Sequence, residues 1–443
     1  MLTPELLPRL QKLLADADLD GWLLYDFRGT NAIAAGLLGF GGLCSRRVFA
    51  FVPRSGVPIG IQHAIEPGPW AKWPKEWPLR VYSGWRALEA EVASLVHGKR
   101  VAMEYSPGDA IPYLDRIPAG VLELVRASGA TVVSSGELVS QVYATWTPAQ
   151  LAGHQRAAEH LAAIARDTIH YAGAMATAGT PAAEHELQQR ILDAFERAGL
   201  ITDHGPDVAA SENAANPHYV PSASRPRLVQ RGDVLLVDLW AKEKGGIYAD
   251  QTWMGSLGTP GDKVVQVWEA VRDARDAALT LLRERIAAGQ VVRGGEADDA
   301  ARAVVTARGF GKDFWHRTGH SIDARELHGS GPQIDNLESR DDRVLIPGVG
   351  FSIEYTSTEI GGEHKYRDKV KSVKAINLPE AGRFEKAIYE FAADPEKFLP
   401  LIEEMGMLLS DSTGYTGREI ILSLGENNFP LGKLFSPSPL SKS

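Results

Sequence analysis

The chain has 443 residues, a formal net charge of −9, 44% hydrophobic and 23% charged side chains. That length holds two or three domains with ample core, and the acidic balance excludes a general binder of nucleic acid or of anionic membranes. The one cysteine, Cys44, excludes an intramolecular disulfide framework and a cysteine-rich metal site; nothing in GGLCSRR supports a thiol nucleophile, so it reads as a half-buried structural thiol.

In chain order, Thr3 and Pro4 are a helix start, and Leu6, Leu7, Leu10, Leu13 and Leu14 form one apolar stripe. This N-terminus lacks the basic start and apolar core of a signal peptide. No apolar run reaches the ~20 residues that span a bilayer, so a cytoplasmic protein is expected. Up to about residue 140, the segments GWLLYDF, RRVFAFV, RVAMEY and ATVVSS read as strands between helical or looped stretches, a small α/β domain. A long helix then opens with Thr147 as N-cap, Pro148 at N1 and Gln150 as capping-box partner. A fresh, capped helix after a run of strands marks a domain boundary.

Beyond it, the pattern predicts helices at about 148–173 and 182–198, strands around 206–253, helices at 262–286 and 295–308, and short strands through 354. This is α+β with antiparallel character. No G-x-G-x-x-G opens a helix after a strand, no phosphate-binding loop is present, and there is no solenoid repeat. Up to residue 362 the basic residues are 28 Arg and 8 Lys, and afterwards 3 Arg and 8 Lys. That break sets the last stretch apart as a C-terminal segment of different origin.

The chemistry concentrates in four segments. In VLLVDLWAKEKGGIYADQTW, Asp238 and Asp250 interrupt two apolar strand-like runs separated by turn residues. A hairpin centred near Lys244 places the two carboxylates opposite each other on one face, with Cβ atoms roughly 5 Å apart. Their repulsion calls for a proton, a cationic side chain or a metal between them; the plain alternative is the polar outer face of an edge hairpin. The other segments are HRTGHSIDARELHGSGP with His316, His320 and His328, VGFSIEY with Glu354, and SENAANPHYVPS with His218. Taken singly, each has an ordinary structural reading, since a lone histidine is more often a hydrogen-bonded residue than a ligand. Together they make an oxygen-rich set with an imidazole, suited to Mn²⁺ or to a paired site of Zn²⁺, Co²⁺ or Fe²⁺ more than to a structural zinc.

An Asp-x(11)-Asp hairpin, a GH-containing histidine segment and an S-I-E strand, in that order, resemble the M24 peptidase family, in its Xaa-Pro aminopeptidase and Xaa-Pro dipeptidase branch. The resemblance runs from residue 1 to about 361. It implies a creatinase-type N-terminal α/β domain (1–145) and a pita-bread catalytic domain (146–374), followed by an atypical extension (375–443). It further implies that Asp238, Asp250, His320 and Glu354 hold two divalent ions, Mn²⁺ foremost, with Asp250 bridging them. His218, His316 and His328 then contact substrate or handle protons. The implied reaction is hydrolysis of the X-Pro bond in short peptides by a metal-bridged hydroxide, in a cytoplasmic homodimer.

One part of the family pattern is missing. Where a second bridging glutamate is expected, the chain reads GEHKYRDKV, which puts Lys365 or Arg367 at that position and leaves Glu363 or Asp368 as substitutes only if the strand shifts. A cation beside the metals opposes their binding, and loss of the acid removes the general base. Two other readings therefore stay open: a non-enzymatic binding module on the same scaffold, and a metal-free amidinohydrolase resembling creatinase. The second has little use for both Asp238 and Asp250.

Overall fold

The computed structural model of the chain describes residues 1–40, 44–216, 219–357 and 370–377. It falls into two compact units, one of Met1–Trp146, Arg293–Gly295 and His320–Gly350, and the other of Thr147–Val292, Glu296–Gly319 and the described residues from Phe351 onward.

The first unit is a six-stranded mixed sheet in the order β4-β3-β2-β1-β5-β6. Its strands are β1 (Gly21–Asp26), β2 (Val48–Pro53), β3 (Ile59–His63), β4 (Leu79–Tyr82), β5 (Arg100–Met103) and β6 (Thr131–Ser134). Every residue of β1 is buried, because period-two alternation sends successive side chains into two different cores. Trp22 and Leu24 join the cluster formed with α1 (Leu7–Asp16), α2 (Ala32–Leu38) and α5 (Gly136–Val142). Leu23 and Tyr25 join the cluster on the opposite face, with α3 (Trp85–Val96) and α4 (Ala119–Ala127). The four strands expected in this region are β1, β2, β5 and β6; β3 and β4 were not foreseen. The first helix begins at Leu7 rather than after Thr3, with Pro8 in its first turn, where a missing N–H costs nothing.

The second unit opens with α6 (Pro148–Thr177), whose Thr147 side chain accepts from Gln150 N while the Gln150 side chain accepts from Thr147 N. After α7 (Glu184–Ala198) come β7 (Leu200–Ile201), β8 (Asp207–Ala210), β9 (Val234–Glu243) and β10 (Ala249–Ser256). Both β7 and β8 pair with β9, which pairs with β10, and all of these pairs are antiparallel. Ala157, Leu161, Ala165 and Ile169 of α6 pack on Leu235, Val237 and Leu239 of β9. Gly255 of β10 has no side chain to hold the helix off; a Cβ there would lie 2.5 Å from Ile169 Cγ2. Helices α8 (Asp262–Ala287) and α9 (Gly294–Ala307) follow.

A third sheet has the order β11-β12-β13, from β11 (Ser321–Ile322), β12 (Gly350–Ser357) and β13 (Val370–Asn377). Strand β13 runs across residue 375, where a separate C-terminal piece was expected to begin. Among the described residues no helix is long and apolar enough to cross a membrane.

Candidate metal centre

The β9–β10 hairpin carries two of the four expected ligands. Its turn centres on Gly245, which has a left-handed φ of 78° that glycine adopts without strain; Gly246 N donates to Glu243 O at 2.8 Å. The centre therefore falls one residue later than Lys244. A one-residue shift of the centre moves the pairing by two, so Asp238 lies opposite Thr252 and Asp250 opposite Trp240. The expectation that the two aspartates face each other directly is thus corrected. They share a face, as period two requires, but as diagonal neighbours, typically ~7–8 Å apart.

This register explains how Asp238 is tolerated in a strand interior where it is only 4% exposed. Thr252 Oγ1 donates to its Oδ1 at 2.6 Å, and a hydrogen bond to a buried carboxylate offsets part of its desolvation. On the other side of β9, Asp207 of β8 is its direct register partner. No sequence motif pointed to Asp207, yet it forms the facing carboxylate pair that was assigned to Asp238 and Asp250.

Asp250, His320 and Glu354 converge: each offers one ligand atom, and the three atoms lie within 4.8 Å of one another. Asp250 and His320 are buried and Glu354 is half-buried. His320 Nδ1–H donates to the carbonyl of Ser321 at 3.0 Å, which orients the ring and places its acceptor lone pair on Nε2. Metal-ligating histidines are usually held in this way. Two carboxylates and one oriented imidazole within this span fit a divalent cation, so the residues present suit the group that the sequence pattern implies.

Local glycine chemistry brings the histidine segment to β12. A Cβ on Gly319 would lie 1.9 Å from the carbonyl oxygen of Ser352 and 2.7 Å from its carbon, so only glycine permits this approach. Alongside, Glu354 N donates to the carbonyl of Thr318. On the hairpin side, His154 of α6 donates from Nδ1 to the carbonyl of Tyr248 at 2.7 Å, two residues before Asp250. Burial pushes the His154 pKa down to about 4, so it stays neutral and fixes the start of β10.

The remaining expected residues stand as follows. His328 is exposed, and its ring packs against His320 with centroids 4.2 Å apart. His316 is half-buried, with its ring edge-on to Phe314 at 5.2 Å. His218, together with Glu363, Lys365, Arg367 and Asp368, lies outside the described residues.

Comparison with known proteins adds the family. The model of metallopeptidase family M24 matches residues 154–384, slightly more than half of the chain, and extends past both residue 361 and the altered GEHKYRDKV stretch. An Xaa-Pro dipeptidase of Lactobacillus helveticus is 35% identical over 148 residues, covering 33% of this chain and 36% of the relative. Another from Lactobacillus delbrueckii subsp. lactis is 35% identical over 161 residues, covering 36% and 39%. These matches span little more than a third of the relatives' own length.

Among solved structures, the dipeptidase PepE of Mycobacterium ulcerans superposes with a TM-score of 0.64 at 22% identity, over 84% of this chain and 92% of that one. The X-prolyl aminopeptidase of Caenorhabditis elegans, described as a cytosolic enzyme with a di-nuclear active site, gives 0.63 at 15% identity, over 85% and 58%. The architecture is that of the prolidases, an N-terminal α/β sheet followed by a pita-bread domain. With the family pattern matched across most of the second unit, the chain belongs to metallopeptidase family M24.

Proposed function

We propose that this chain hydrolyses the X-Pro bond of short peptides, using two divalent ions held by Asp238, Asp250, His320 and Glu354. The observation that carries the reading is the convergence of Asp250, His320 and Glu354 within 4.8 Å. Support comes also from the Xaa-Pro dipeptidases that share 35% identity with part of the chain. A divalent pair in such a site lowers the pKa of water toward neutrality and polarises a carbonyl.

The protein's own contribution is placement. Asp250 belongs to the group with His320 and Glu354 and is also the diagonal neighbour of Asp238, so its carboxylate would serve both parts of the ligand set. The bond from His320 Nδ1–H to Ser321 fixes the tautomer and the ring orientation. His328, against the His320 ring, and His316 are the hydrogen donors for a carbonyl oxygen that gains charge as the bond is attacked. His218 handles the proton that leaves with the proline nitrogen. Mn²⁺ suits this oxygen-rich donor set, and a cytoplasmic homodimer is the setting that goes with it.

The test is proline release from X-Pro dipeptides and from longer X-Pro peptides by chelator-treated protein, with and without added Mn²⁺. Mn²⁺-dependent release that is lost in Asp250→Asn supports the reading. A second reading, a peptide-binding module, is favoured by the GEHKYRDKV departure from the family pattern. Saturable binding of the same peptides with no release at any metal concentration would select it.

A further inference from the structure

We infer that Asp298 on α9 is a positioning residue for the candidate metal centre, holding the Thr318–Gly319 segment against β12 so that His320 and Glu354 meet at the cation. The inference rests on the metal reading proposed above and concerns residues outside the ligand set.

Asp298 is fully buried, which is costly for a carboxylate unless donors surround it. Three donors do. Its Oδ1 accepts from Thr318 N at 3.0 Å and also from Thr318 Oγ1. Its Oδ2 accepts from Arg302 Nε at 2.8 Å, one helical turn along α9. Arg302 in turn donates from Nη2 to the carbonyl of His316 at 2.5 Å. Asp298 and its arginine thereby grip the histidine segment at two backbone points, residues 316 and 318.

The grip continues to the ligands. Thr318, itself fully buried, accepts through its carbonyl from the backbone N–H of Glu354. One residue is thus anchored on α9 through its N–H and on β12 through its C=O. Gly319, which follows, touches Ser352 at a distance no other residue allows, and His320 comes next. His320 lies two residues from Thr318, which Asp298 holds directly, and Glu354 is held through its own N–H by the Thr318 carbonyl. Groups that orient metal ligands typically contribute ~10–100-fold to affinity.

Asp298→Asn preserves the volume and breaks the pattern. Thr318 N–H, the Thr318 hydroxyl and Arg302 Nε–H all point at the carboxylate oxygens, so the new amide N–H₂ faces either Thr318, disturbing the two bonds to Oδ1, or Arg302, losing the bond to Oδ2. The measurement is calorimetric titration of Mn²⁺ into metal-free full-length protein, with circular dichroism and thermal unfolding run in parallel.

In Asp298→Asn the Mn²⁺ Kd is expected to rise ~10–100-fold. Thr318→Val, which loses the hydroxyl but keeps the backbone bond, should show a smaller rise, and Thr318→Ser should restore the wild-type Kd. Ile191→Ala, which hollows the core of the same unit on α7, should lower Tm and leave Kd unchanged. A folded Asp298→Asn with wild-type Kd, or an equal rise in Ile191→Ala, overturns the inference and leaves the metal reading standing. If Asp298→Asn does not fold, an unchanged Kd in Thr318→Val overturns it. Failure of the wild-type protein to bind Mn²⁺ overturns the metal reading itself.

Discussion

Replacing Glu104 by glutamine tests how the first unit tolerates a carboxyl group in its sheet. Glu104 follows β5 and is fully buried. It accepts from Trp22 Nε1 at 2.5 Å, Asn31 Nδ2 at 2.8 Å and Ser135 Oγ at 3.3 Å. These donors do not fully offset the desolvation, and burial pushes its pKa from 4.5 up to about 7. A folded-state pKa above the unfolded one means that the associated stability is fully present below pH 4.5 and is lost as pH rises through 7. Between pH 5 and pH 8 the loss is about 2–3 kcal/mol. Glutamine does not titrate, but its amide N–H₂ faces another donor, Asn31 Nδ2, at a constant penalty of about 1–3 kcal/mol. Urea unfolding of both proteins at the two pH values should show Glu104→Gln clearly less stable at pH 5, with the gap closing by about 2–3 kcal/mol at pH 8. The same gap at both pH values would refute the reasoning.

Two further predictions concern the site and the cysteine. Gly319→Ala puts a methyl group into the Ser352 carbonyl; it should destabilise the fold by about 1–3 kcal/mol and weaken Mn²⁺ binding at least tenfold, and a wild-type titration would show that the close approach is not needed. Cys44 is buried and its thiol is pushed up to about 11 by burial and by Asp26. At pH 8 only about one thiol in a thousand is then ionised. The folded chain should react with a thiol-disulfide reagent at least 100-fold more slowly than the urea-unfolded chain, and Cys44→Ala should leave X-Pro hydrolysis intact; rapid labelling of the folded state would contradict this.

Elements with strong local signals were legible in the sequence. The capped start of α6 at Thr147, the buried alternation of β1 and β2, and the shared face of Asp238 and Asp250 all follow from short-range pattern. Strands β3 and β4 were missed because they sit among proline and glycine; β5 and β6 are equally short but were legible. The hairpin register was misjudged by two because choosing the turn centre among Lys244, Gly245 and Gly246 depends on which residue adopts the left-handed backbone.

The groups that support the ligands left no trace at all. His154, Asp298 and Arg302 lie on helices 94, 20 and 14 residues from what they hold, and a helical aspartate or histidine reads as solvated surface until its partners are known. Asp207 became visible only through the β8–β9 register. Conversely, the order of the ligand motifs was informative because the chemistry demands those residue types wherever the backbone brings strand ends together.

Metal content per chain tests the two-metal centre most directly. Protein purified without chelator and dialysed against trace Mn²⁺ is predicted to hold close to two ions per chain, with Asp250→Ala losing both, as the proposed sharing of that carboxylate requires. Zero ions, or well under one per chain, would contradict a two-metal centre and leave the binding-module reading in its place.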